Sequence, residues 1–248
     1  MVRLNETRIG AVLTEPLGGA FFQAADTARH AQHGTALWIG LDADVAIEAA
    51  GGSVRGRAVI VPPDVLYAAR CPGPVASYVI DPELCPRVAG AARALGGARA
   101  LDGAAAAHVA GAVRAHGAEL ARPDVLVGVG DEASRRLATG PAAAPDRRIA
   151  RLLDAIRDPD ADRTAALAAT GLSTAHVQAL FVRDVGIAMR TYRLWRRLLH
   201  AVARVGPLDL TAAAHASGFA DLAHFSRTCR SMLGYSPSAL RDNLYGHR

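Results

Sequence analysis

The 248-residue sequence contains no lysine; all 28 of its basic residues are arginine. Every basic surface is therefore guanidinium, an absence that assigns no function by itself. Cysteine is scarce as well. Cys71, Cys85 and Cys229 are an odd number at wide spacing, which suits neither a disulfide framework nor a zinc site. Although 51% of the residues are hydrophobic, no uninterrupted apolar run approaches the roughly 18 residues of a membrane span. The opening segment Met1-Val2-Arg3-Leu4-Asn5-Glu6 lacks the apolar stretch and cleavage site of a secretory signal. The expectation is a cytoplasmic protein with no membrane partner, no metal and no cofactor.

What is present is an uneven charge. Residues 1–146 carry 13 Arg against 15 acidic residues, a net of −2, whereas residues 147–248 carry 15 Arg against 8, a net of +7. The basic excess lies wholly in the C-terminal part, so a polyanion partner is expected for that part alone. A solvated basic surface is the alternative that charge leaves open.

Local texture divides the chain at the same place. Residues 36–41, 44–47, 58–61 and 76–80 are short β-leaning runs, punctuated by Gly51-Gly52, Pro62-Pro63-Asp64 and Cys71-Pro72-Gly73-Pro74. This pattern predicts a small β-barrel or sandwich. Ala-rich helices are expected over 86–95, 103–120 and 131–138. The Pro- and Ala-rich segment 141–146 reads as a linker. The prediction is an α+β chain of two domains, 1–140 and 147–248, the second all helical.

The second domain carries a loose internal repeat of helix, Gly turn and helix, around Gly171 and again around Gly218. In the later copy, residues 211–217 form a short helix that Gly218 ends in a left-handed conformation. Phe219 plugs the core, and Asp221 caps a helix from Leu222 to about Leu233. Phe225, Cys229 and Leu233 are expected to face inward. Leu222, Ala223, His224 and Arg227 then fall on or near the exposed first turns, where a recognition helix reads bases. The run Gly218-Phe219-Ala220-Asp221-Leu222-Ala223-His224-Phe225-Ser226-Arg227, with Gly234-Tyr235-Ser236-Pro237 and Leu240-Arg241 after it, resembles the C-terminal signature of the AraC/XylS transcription regulators. The resemblance implies two helix-turn-helix units that place recognition helices in successive major grooves of a double-stranded DNA operator. It also implies contact with RNA polymerase if the regulator activates.

In the earlier copy Ser173 is the expected N-cap of a recognition helix over 174–182, with Val177, Leu180 and Phe181 inward. Thr174 and Gln178 are its candidate base contacts, and His176 and Arg183 its candidate phosphate contacts. Ala175 and Ala179 stand where family members often carry longer polar side chains. Between the copies, residues 191–205 read as one amphipathic helix. Leu194, Trp195, Leu198, Leu199, Val202 and Val205 form its apolar stripe, and Arg193, Arg197, His200 and Arg204 its polar face. This resembles the family's linking helix. Arg193 and Arg197 are candidate phosphate contacts, and Arg196 is open between phosphate and solvent.

Residues 25–85 more loosely resemble the cupin-like sensor of the same family, which implies a small effector. His33 and Tyr67 are the candidate effector contacts. Tyr67 stands where a His often follows the Pro-Pro turn in the family. His30 and His33, three apart in a strand, would face opposite sides, so no metal site is expected. The alternative, a cupin-type metalloenzyme with a DNA-binding tail, needs a ligand set that the sequence does not supply. The chain is therefore expected not to be an enzyme. The small residues of the helix over 103–120 make it the candidate contact of a homodimer.

Overall fold

The computed structural model describes residues 11–14, 17–22, 24–83, 88, 92–116, 145–158, 161–206 and 208–245. Strand β4 (Thr35–Gly40) shows how the front half is built. Ala36 and Trp38 pack into the larger core, while Leu37 and Ile39 point the other way, into a cluster with Tyr78 and Ile80. All six residues of β4 are buried. That is why the segment reads as a nearly continuous apolar run rather than an alternating one.

Around β4 lies an antiparallel sheet in the order β1-β2-β9-β4-β7-β10. Its other strands are β1 (Ala11–Thr14), β2 (Leu17–Phe22), β7 (Ala58–Val61), β9 (Val75–Ile80) and β10 (Arg99–Ala100). A second sheet runs β3-β8-β5-β6, from β3 (Ala25–Asp26), β8 (Tyr67–Cys71), β5 (Val45–Ala49) and β6 (Gly52–Gly56). Of the expected barrel or sandwich, the two sheets form the second, without closing into a barrel. Trp38, Val59 and Val61 of the first share a core with Ile47, Tyr67 and Ala69 of the second. The outer face of the first is covered by helix α1 (Gly103–His116) through Val109, Ala110 and Val113. A sheet that buries one face under a second sheet and the other under a helix has no need to close on itself. The helix expected over 131–138, half of the one over 86–95, and linker residues 141–144 lie outside the described residues.

The C-terminal half is helical. Helix α2 (Arg147–Arg157) starts at the expected domain boundary, where the Asp146 carboxylate accepts from the Arg148 N–H at 2.9 Å. Its Ile149, Leu152, Leu153 and Ile156 follow the spacing of one helical face and are buried. After it come α3 (Arg163–Ala168), α4 (Thr174–Val185), α5 (Met189–Val202), α6 (Leu210–Ala216), α7 (Leu222–Leu233) and α8 (Pro237–Tyr245). Of its expected stripe, helix α5 buries Trp195, Leu198 and Val202 and leaves Leu194 and Leu199 half-buried, with Tyr192 and Ala201 buried beside them. Among the described residues no helix is long and apolar enough to cross a membrane.

The two halves do not merely abut. Ala28 N–H donates to the Gly234 carbonyl at 3.0 Å, Ala31 N–H donates to that of Ser231 at 3.1 Å, and Phe22 stacks on Tyr235. Gly234 ends α7 at φ +77°, and a Cβ there would lie 2.6 Å from His30 Nδ1 and 2.9 Å from the Ala28 carbonyl oxygen. Backbone conformation and interdomain space both require glycine.

Candidate DNA-binding surface

Each repeat folds as a pair of capped helices. In the first, the Asp162 carboxylate accepts from the N–H groups of Thr164 and Ala165 to start α3. Gly171, at φ +65°, turns the chain, and Ser173 Oγ accepts from His176 N–H to start α4. In the second, Asp209 caps α6 through Thr211 and Ala212, and Gly218 turns at φ +76°. Asp221 Oδ1 then accepts from His224 N–H at 2.6 Å to start α7. Phe219 is buried between the paired helices, with its N–H on the Ala214 carbonyl. These caps satisfy backbone donors that a helix start otherwise leaves orphaned.

The buried faces agree with the sequence reading. Helix α4 packs Val177, Leu180, Phe181 and Val185 inward, and α7 packs Phe225, Thr228 and Cys229. Leu233 is only half-buried. Burial pushes the Cys229 thiol up to about 12, leaving it a small neutral hydrophobe. On the opposite face of α4, Thr174, His176, Gln178 and Arg183 are exposed, as are Ala175 and Ala179. Arg183 is held by its neighbour, at 2.6 Å from Asp184 Oδ1 and 3.1 Å from Oδ2.

On α7, Ala223 and Arg227 are exposed, while Leu222 and His224 are half-buried. The His224 ring packs edge-on against Phe219, so Arg227 is the freer of the two basic candidates. Arg193 is exposed on α5. Arg197 lies over the Phe219 ring with its guanidinium carbon 5.7 Å from the centroid, a cation–π contact. The structure thus groups Phe219, His224 and Arg197 at the turn of the second unit.

His33 and Tyr67 are both buried. The Tyr67 hydroxyl accepts from Trp38 Nε1–H at 3.1 Å and its ring meets His30. His33 belongs to a charged cluster between the two halves. Its Nε2 lies 3.2 Å from Glu83 Oε2, its Nδ1 3.8 Å from Asp64, and its ring sits edge-on to Tyr192 of α5. Arg157, from the end of α2, approaches the other oxygen of Glu83 at 3.6 Å. Close by, Asp81 accepts from Trp195 Nε1–H and from Arg196, each at 3.2 Å.

Burial alone would keep His33 neutral, but Asp64 and Glu83 outweigh it through hydrogen bonds and charge and raise its pKa to about 9. Burial would likewise raise Glu83, and the His33 hydrogen bond and charge bring it below its usual value instead. Asp81 is raised to about 6 by burial and by Glu83, with Arg196, Trp195 and His33 holding it partly down.

Sequence reasoning left Arg196 between phosphate and solvent; it is buried and paired with Asp81. A signal was available, because Arg196 is four residues after Tyr192 and three before Leu199, on the edge of the apolar stripe. Asp81 and Glu83, just beyond the apolar run of β9, went unremarked.

Residues 166–243 match the family model of a helix-turn-helix domain. This region is an AraC-type helix-turn-helix domain, a DNA-binding module. No curated protein matches the chain by sequence. Among solved structures, the apo form of a ToxT variant from Vibrio cholerae is similar over 93% of this chain and 98% of its own, at TM-score 0.56 and 11% identity. ToxT from strain O395 is similar over 94% of this chain and 100% of its own, at TM-score 0.55 and 10% identity. Wild-type ToxT with an unsaturated fatty acid bound is similar over 94% and 98%, at TM-score 0.55 and 11% identity. The likeness establishes the two-domain α+β fold over nearly the whole chain.

Proposed function

We propose that this chain is a sequence-specific DNA-binding transcription regulator that sets α4 and α7 into successive major grooves of one operator. The observation that carries the reading is the pair of capped helix-turn-helix units joined by α5, each presenting an exposed polar or basic face from its second helix. The units are unequal readers. Arg227 suits bidentate contact with guanine, whereas α4 offers Thr174 and Gln178 beside two alanines. Leu222 and Ala223 border the α7 contact and His224 supports it. His176, Arg183, Arg193 and Arg197 serve phosphate positioning. ToxT has been seen with an unsaturated fatty acid, which supports control by a small effector felt near His33 and Tyr67. The outward residues Ala107, His108 and Gly111 of α1 are the candidate homodimer contact, and RNA polymerase is the further partner if the protein activates.

Selection of bound sequences from random DNA tests the reading. Two half-motifs roughly 10–10.5 base pairs apart are expected, the stronger belonging to α7. Absence of any enriched sequence would sink the proposal, and a single short motif would leave α7 as the only reader. Arg227→Ala should relax base preference at one position and cost about 1–3 kcal/mol of specific binding, checked by titrating operators that vary at that position.

A further inference from the structure

Between the two helix-turn-helix units lies a cleft of about 330 Å³ whose Arg163, Arg196, Arg204 and Ser217 the DNA reading does not use, although it places Arg193 and Arg197 of the same wall on phosphate. It is walled by α5, the end of α2, the start of α3 and the turn after α6. Arg163, Arg193, Arg196, Arg197 and Arg204 all line it, with His200 beside them. No acidic residue is among its described walls. Ser217 also lines it, and the Ser217 hydroxyl oxygen is buried with no hydrogen-bond partner among the described residues.

We propose that this cleft binds a small ligand bearing two or more phosphate charges, such as a diphosphate. Arg196 is already paired with Asp81; the other four guanidinium groups drawn towards the cavity repel one another until an anion joins them. Phosphate oxygens accept forked guanidinium bonds from several directions at once, which suits arginines arriving from two helices. The cavity is at the small end of ligand-binding pockets. Ser217 supplies a donor that otherwise stays unsatisfied. Duplex DNA is the other source of phosphate, and the depth of the site argues against it. Arg196, only 8% exposed, is reached by a molecule that enters the cleft rather than by a backbone running across it.

The placement gives the ligand two levers. Arg196 also binds Asp81 of the sheet domain, and Arg197 rests on Phe219 at the turn leading into α7. An occupant therefore touches the interdomain contact and the second recognition unit together. That coupling rests on the DNA reading; the binding itself does not.

The test is isothermal titration of the full chain with inorganic pyrophosphate, without DNA. One pyrophosphate per chain is expected. Affinity should fall about tenfold or more in the Arg163→Ala/Arg204→Ala double variant and fall measurably in Ser217→Ala. It should hold in Arg230→Ala, which removes an exposed charge elsewhere on the helical domain. If the double variant fails to fold, Ser217→Ala and the pyrophosphate-induced rise in melting temperature of the unaltered chain still decide the matter. An equal loss in Arg230→Ala would show diffuse charge attraction and overturn the proposal. So would absence of pyrophosphate binding together with a fall in duplex affinity in the double variant, which would assign the cleft to the DNA backbone.

Discussion

Asp81→Ala is expected to lower the free energy of unfolding by about 3–5 kcal/mol, the usual cost of removing one partner from a buried ion pair. The loss arises because Arg196 stays buried facing a vacated site and Trp195 Nε1–H loses its acceptor. Asp81→Asn, which keeps an acceptor oxygen but no charge, should cost less. Urea melts at pH 7 give both values. The pH dependence separates the neighbouring groups. His33 has a folded pKa of about 9, above its unfolded value. Its contribution is therefore complete below about pH 6.5 and is lost as pH rises through 9. Asp81, also raised, binds its proton more tightly when folded, so its contribution falls as pH rises from about 4 through 6. Stability should decline between pH 6.5 and 9 in the unaltered chain, and His33→Gln should flatten that decline. A decline that persists in His33→Gln would refute the assignment.

Trp195→Ala is the second large effect, about 3–5 kcal/mol from the cavity alone. Trp195 is fully buried on α5 and joins the helical core to the sheet domain through Asp81. Trp195→Phe restores most of the volume and isolates the lost hydrogen bond, about 1.5–3 kcal/mol for a charged acceptor. Because Trp195 and Asp81 touch, the double variant should cost less than the sum of the singles. Strict additivity in melts of all four chains would show that the contact contributes nothing.

The second helix-turn-helix was legible in the sequence because its signals are local. A turn glycine, a plugging phenylalanine and a capping aspartate follow one another within four residues, from Gly218 to Asp221. The stripe of α5 was legible for the same reason, since one helical period reports one buried face. The interdomain cluster was not. Asp81 and Arg196 are 115 residues apart, and neither has a periodicity that names the other. The carboxylate partners of His33, Asp64 and Glu83, likewise reach it only through the fold. Short strands and turns alone left a barrel and a sandwich both open. The uninterrupted apolar stretch of β4 already implied that both faces were covered, and α1 supplies the second cover.

Buried residues from both sheets and from the helical half share one cluster, running from Phe22 and Trp38 through to Trp195 and Phe225. In thermodynamic terms the halves are linked rather than merely joined. A molecule that binds the docked arrangement stabilises the sheets and the recognition helices by the same amount. One that favours their separation must first meet the cost of opening a common core. A ligand that prefers the docked arrangement on one half thereby shifts the other, by as much as its affinities for the docked and separated arrangements differ.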